Sequence, residues 1–234
     1  MLAVIGKSIP ATDILLQFQQ LAQHGQVVHD AASPGHHDGW GIVSIRDQIK
    51  VEGKSPLNAF ENVEFQRCAT DLGNNFSGIL FAHLRKASRG SINLENTHPF
   101  VNDPCIFMHN GTVYFPDQSG SDSKHYFSLL RAQSASDPPG KYAQMLESLK
   151  SQEIGYSSLS SMLATQENVW VYREFSRNPQ YYTIYYREQS TYTIICQEKI
   201  KIGDMSGEWQ EVPKNSFLSI NRSSLHSHLS SFSS

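Results

Sequence analysis

The chain has 234 residues, 39% of them hydrophobic and 11% aromatic, with a formal net charge of −3. That composition supports one large folded domain rather than disorder. The slight acidity gives no basis for nucleic acid or an anionic membrane as partner. Three scattered cysteines, Cys68, Cys105 and Cys196, suggest a reducing compartment rather than a disulfide framework. No apolar run approaches the roughly 20 residues of a membrane helix, so the expected location is cytoplasmic.

Leu2 to Gly6 reads as a buried strand. Thr12 to His24 reads as a helix with Ile14, Leu15, Phe18, Leu21 and Ala22 on one stripe and Gly25 as its C-terminal stop. Residues 31–39 read as loop. Trp40 to Ile45 and Gln48 to Glu52 form a hairpin, Glu61 to Leu72 a helix, and Ser77 to Leu84 a strand. Residues 86–104 form a long loop of the length seen at functional sites. Cys105 to His109 is a strand and Asp122 to Ala132 a helix. Lys141 to Lys150 and Ser157 to Gln166 read as two further helices joined by a Gly-containing turn. From Val169 on, four β-branched and aromatic runs (169–174, 181–186, 192–196, 216–220) suggest one antiparallel sheet. The serine-rich tail, 221–234, is expected to pack loosely.

Two of these strands end abruptly in polar residues: Phe81-Ala82-His83-Leu84-Arg85 and Phe107-Met108-His109-Asn110-Gly111. Strands that stop this way deliver side chains to sites. Arg85 brings a fixed cation with a two-pronged fork for a carboxylate. Asn110-Gly111 brings an amide donor followed by an unhindered backbone N–H, the raw material of an oxyanion hole, although Asn-Gly is also a common turn. The numerous histidines (His29, His36, His37, His83, His98, His109) show no helical i, i+4 spacing, so no metal site is expected.

Five ordered motifs resemble the class II glutamine amidotransferases, the N-terminal-nucleophile amidohydrolases, and most closely their small stand-alone members that include γ-glutamyl hydrolases. They are His37-Asp38-Gly39-Trp40-Gly41, Ala82-His83-Leu84-Arg85-Lys86-Ala87-Ser88, Asn96-Thr97-His98-Pro99-Phe100, His109-Asn110-Gly111 and Ser121-Asp122-Ser123. Trp209 to Pro213 and Phe217 to Ile220 resemble the family's closing segment. The likeness covers residues 1–220 as one domain, followed by the 221–234 tail. The pattern of elements alone supports α+β; the resemblance implies a four-layer αββα sandwich of N-terminal-nucleophile hydrolase type.

The resemblance also implies roles. Arg85 would hold the substrate's α-carboxylate, Asp122 its α-ammonium, Asn110 and Gly111 the oxyanion, and Ser88 would line the glutamine pocket. Asp122 also reads as the N-terminal residue of a helix, a compatible role. Lys86 and Arg89 depart from residues common in the family, which leaves the substrate's identity open. The family's nucleophile is a cysteine directly after the initiator methionine, where this chain has Leu2, a residue with no nucleophilic atom. Three readings remain: a pocket for glutamine or a γ-glutamyl amide without standard glutaminase activity; an active hydrolase with another start or nucleophile; and a non-catalytic structural subunit. No cofactor is expected, and the expected partner is a small molecule, not nucleic acid or membrane, with oligomeric state open.

Overall fold

A computed structural model of the chain describes residues 1–28, 34–117, 120–203 and 206–232. In chain order the elements are β1 (Leu2–Ile9), α1 (Ala11–His24), β2 (Trp40–Ile45), β3 (Ile49–Ser55), α2 (Val63–Leu72), β4 (Phe76–Leu84), β5 (Phe100–Asn102) and β6 (Cys105–Asn110). Then follow α3 (Asp122–Ala132), α4 (Pro138–Ser151), β7 (Ser160–Ala164), β8 (Asn168–Arg173), β9 (Tyr185–Glu188), β10 (Tyr192–Cys196), β11 (Gln210–Glu211), β12 (Ser216–Asn221) and β13 (Ser227–Ser231).

The strands form two antiparallel sheets, ordered β11-β9-β10-β1-β4-β2-β3 and β13-β12-β8-β7-β6-β5. Strand alternation sends successive side chains to opposite faces, and three apolar clusters show the result. Ala3, Ile5, Val43, Ile79 and Phe81 of the first sheet meet Ile106, Met108, Met162, Val171 and Leu218 of the second. The outer face of the first sheet (Leu2, Val4, Ile42, Leu80) packs on Ile14, Phe18 and Phe65 of α1 and α2. Phe107, Leu163, Tyr172 and Phe217 of the second pack on Tyr126, Leu130, Tyr142 and Met145 of α3 and α4. The order of layers is therefore helix, sheet, sheet, helix, the expected αββα sandwich.

Several elements depart from the sequence expectation. Residues 157–166 hold the strand β7, not a helix. Every side chain of β7 is buried, because β7 lies inside its sheet between β6 and β8, and a short run buried on both faces carries no period-2 signal. The C-terminal strands do not share one sheet: β9 and β10 join the first and β8 and β12 the second. The run from Tyr181 begins with a turn, Tyr181 N–H bonding the Asn178 carbonyl at 3.1 Å, and its strand starts at Tyr185. The loop after β4 contains β5, hairpinned to β6 through Phe100↔Phe107. Nor is the tail loose: β13 pairs with β12 from Ser216↔Ser231 to Ile220↔Ser227, and Phe232 meets Tyr172 edge-on at 5.3 Å. Of the loop expected over 31–39, residues 31–33 lie outside the described residues, as does His29. Among the described residues, no helix is long and apolar enough to cross a membrane.

Candidate functional site

Register builds the site. β1 is central, with Leu2 opposite Ala82 of β4 on one side and Cys196 of β10 on the other. Both neighbours run antiparallel to it, so the residues at or just past their ends, His83 to Arg85 and Gln197-Glu198, arrive beside Met1. β6, in the facing sheet, ends at Asn110. The cavity they enclose, about 150 Å³, is also lined by Ser88, Gly111, Asp122 and Tyr181. Five of the six residues expected at a site, Arg85, Ser88, Asn110, Gly111 and Asp122, therefore line one pocket.

The sixth does not. Leu2 is fully buried in the cluster between the first sheet and α1 and α2, whereas Met1 lines the pocket. Cys196, paired with Leu2, is equally buried, and burial pushes its thiol up to about 11.

The motifs hold one another in place. Asp38 N–H bonds the Arg85 carbonyl at 2.9 Å and Arg85 N–H the Gly39 carbonyl at 2.8 Å, while Asp38 Oδ2 accepts from Ala87 N–H at 2.8 Å. Gly41 is required by close approach: a Cβ there would lie 2.3 Å from the His98 carbonyl oxygen. Asn96 Nδ2 donates to the Ser91 carbonyl at 3.1 Å and Thr97 Oγ1 to the Asn93 carbonyl at 2.8 Å, folding the loop onto itself.

Arg85 is only 5% exposed. Its guanidinium donates to the carbonyls of Ser91 and Arg89 at 3.1 and 3.3 Å. Burial lowers its pKa, partly offset by the carboxylates of Asp38 and Asp122, and guanidinium remains a cation regardless. Asp122 opens α3, and its Oδ2 accepts from Val113 N–H at 2.9 Å. The pocket thus carries a buried cation and a carboxylate on its walls.

Gly111 has φ +155°, and a Cβ there would lie 2.1 Å from the Ser158 carbonyl oxygen, so a larger residue cannot occupy this turn unchanged. His109 bonds Ser123 Oγ and the Ser158 carbonyl, both at 2.9 Å. The carbonyl can only accept, which assigns the proton to Nε2 and leaves Nδ1 to accept from the serine hydroxyl. Burial lowers the His109 pKa, with Asp122 acting against it. The imidazole therefore ties β6 to α3. His83 and His98 stack at 4.5 Å. Among the described residues, no group of three His, Cys, Asp or Glu is placed to hold a metal ion.

Among the pocket residues that the sequence expectation did not place at the site are Tyr181, Gln197 and Glu198. Gln197 Oε1 accepts from Asn110 Nδ2 at 3.1 Å and from the Met1 nitrogen at 3.3 Å. Glu198 accepts from Gln26 N–H at 3.1 Å and meets His36 Nε2 at 3.4 Å. Burial raises the Tyr181 phenol to about 12, and a hydrogen bond with Asn110 pulls the other way. None of the three sits in a motif; only the pairing of β10 with β1 and the turn after Asn178 bring them in.

Residues 2–177 match the profile of the family described as class II glutamine amidotransferases. YafJ of Escherichia coli (strain K12), which bears the name of a glutamine amidotransferase, is 33% identical over 106 residues, 44% of this chain and 39% of YafJ. MJ1515 of Methanocaldococcus jannaschii is 34% identical over 117 residues, 43% of this chain and 32% of that protein. The matched stretches thus span less than half the length of these curated relatives. Among solved structures, a glutamine aminotransferase class-II domain protein from Silicibacter pomeroyi superposes with a TM-score of 0.64 at 17% identity, covering 100% of this chain and 99% of that one. The glutamine phosphoribosylpyrophosphate amidotransferase of B. subtilis gives 0.65 at 14% identity, over 99% of this chain and 49% of that one. These likenesses share the αββα architecture, of N-terminal-nucleophile type. By its profile match, the chain belongs to the class II glutamine amidotransferases.

Proposed function

We propose that the pocket binds glutamine or a γ-glutamyl amide and that the chain lacks the standard glutaminase reaction. The observation that carries the binding reading is the convergence of Arg85, Asp122, Asn110 and Gly111 on one cavity from three separate segments. A buried guanidinium and a carboxylate suit the two charged α-substituents, and the Asn110 amide with the Gly111 N–H suits the carbonyl end. The absence of turnover is argued from chemistry. Leu2 offers no nucleophilic atom and faces the helix layer. The thioether of Met1 cannot replace a thiolate, and Cys196 is buried and hard to ionise. Loss of such a nucleophile costs on the order of 10⁶ in kcat.

Calorimetry with glutamine, run beside a glutaminase assay, tests both halves. Heat of binding without ammonia release is the expected result. Robust turnover with a covalent adduct on Met1 or any cysteine would overturn the second half, and no binding at millimolar glutamine would overturn the first.

A further inference from the structure

The pocket already holds a carboxamide. Gln197 follows β10, and its backbone N–H extends the β10–β1 ladder by bonding the Met1 carbonyl at 3.2 Å. From there its side chain enters the cavity. Oε1 takes hydrogen bonds from Asn110 Nδ2 and from the Met1 nitrogen. Asn110 is the donor that the site offers to a ligand's carbonyl oxygen. The Gln197 amide nitrogen, Nε2, is buried with no hydrogen-bond partner among the described residues.

We infer that Gln197 is an internal stand-in for a primary carboxamide, occupying the carbonyl subsite, and that a ligand's own carboxamide must displace it. Three features support an occupant over a fixed structural strut. A strut would satisfy both ends of its amide, since a buried unpaired N–H is unfavourable; here only the oxygen end is satisfied. The satisfied end uses the one side-chain donor that the proposed oxyanion hole possesses. And the residue is long and unbranched, free to swing out by rotation about its side-chain torsions while its backbone stays in the ladder. The inference deepens the glutamine-pocket reading and rests on it: it adds that the subsite selects a planar carboxamide, and that affinity is set partly by how often Gln197 vacates it. When a competent state is populated a fraction of the time, apparent affinity falls by that fraction. A stand-in seated nine-tenths of the time would weaken binding tenfold.

The test uses Gln197→Met, which keeps length and loses the amide, and Gln197→Ala as a second variant, with melting curves to confirm that each folds. Calorimetry should give glutamine binding about tenfold tighter in Gln197→Met than in the parent. Equal or weaker binding in both folded variants would overturn the inference and assign Gln197 a structural role. The side-chain NH₂ resonances of Asn110 give a reading independent of glutamine. They should move when Gln197 is replaced and move again when propionamide, a bare carboxamide, is added to the variant. If neither protein binds glutamine, the glutamine-pocket reading fails while propionamide still judges the subsite. An Asn110 signal indifferent to both the substitution and propionamide overturns the subsite itself.

Discussion

Three buried imidazoles should make the fold sensitive to mild acid. His83, His98 and His109 are 7%, 6% and 2% exposed, and burial lowers each pKa from the ordinary 6.5, well below it for the stacked pair. Among the described residues, His98 finds no hydrogen-bond partner for either ring nitrogen, and His83 none for Nδ1; protonating one places a cation against the other ring. The sign follows from proton counting. Below pH 6.5 the unfolded chain binds protons at these sites that the folded chain refuses, so stability is full above 6.5 and falls as pH drops through it. The loss levels off only below the folded pKa values. Each group contributes up to about 1.4 kcal/mol per pH unit. From pH 7.5 to 5.5 the stacked pair should therefore remove on the order of 2–3 kcal/mol, and His109 adds to the loss in the same direction. Urea unfolding at pH 7.5, 6.5 and 5.5 measures it. His98→Gln should shrink the loss by about 1 kcal/mol, roughly one group's share. A flat profile over this range, or a slope that His98→Gln leaves untouched, would refute the reasoning.

Arg85→Ala should weaken glutamine binding about 10- to 150-fold, since a charge-assisted bond to a partly buried partner contributes roughly 1.5–3 kcal/mol; calorimetry that finds parent-like affinity would show the cation is used only for the loop carbonyls of Arg89 and Ser91. Gly111→Ala must relieve a 2.1 Å approach to the Ser158 carbonyl at positive φ, so a loss of about 3 kcal/mol and a Tm lower by about 6–12 °C are expected; an unchanged melting curve would contradict the turn geometry. Leu2→Cys, produced with Met1 removed, should gain measurable glutamine hydrolysis if the oxyanion donors are intact, because such donors and positioning retain roughly 10³–10⁴ of catalysis; a folded, trimmed but inert variant would mean that the pocket no longer suits the reaction.

Long periodic elements were legible. The α1 stripe and the 122–132 helix stand as the apolar spacing indicates, because in each a single face meets a sheet. β7 was not, since a strand buried on both faces loses the alternation that distinguishes it from a helix. The division of the last strands between two sheets is likewise set by partners up to 194 residues away, as in Leu2↔Cys196. At the site the same contrast holds. Arg85, Asn110, Gly111 and Asp122 sit in local motifs at strand or helix ends and could be found by pattern. Gln197, Glu198 and Tyr181 have ordinary local surroundings, and their place in the pocket exists only through pairing.

The first two residues show why a motif position and a site position are separate questions. The family resemblance would set Leu2 at the nucleophile's place in the sequence, yet along an extended strand residues 1 and 2 face opposite layers. Met1 shares its side with Ala3 and Ile5, between the sheets, and Leu2 shares its side with Val4, against α1. A cysteine introduced at position 2 with Met1 still ahead of it would therefore point its thiol into the helix layer. With Met1 gone, residue 2 loses its anchoring neighbour and the Met1–Gln197 contacts vanish, freeing both the new terminus and the Gln197 carboxamide to rearrange. Processing and substitution are thus coupled: Leu2→Cys should gain activity only in the fraction whose N-terminal peptide mass lacks methionine. Equal activity in trimmed and untrimmed protein would show that the strand's facing does not govern access to the pocket.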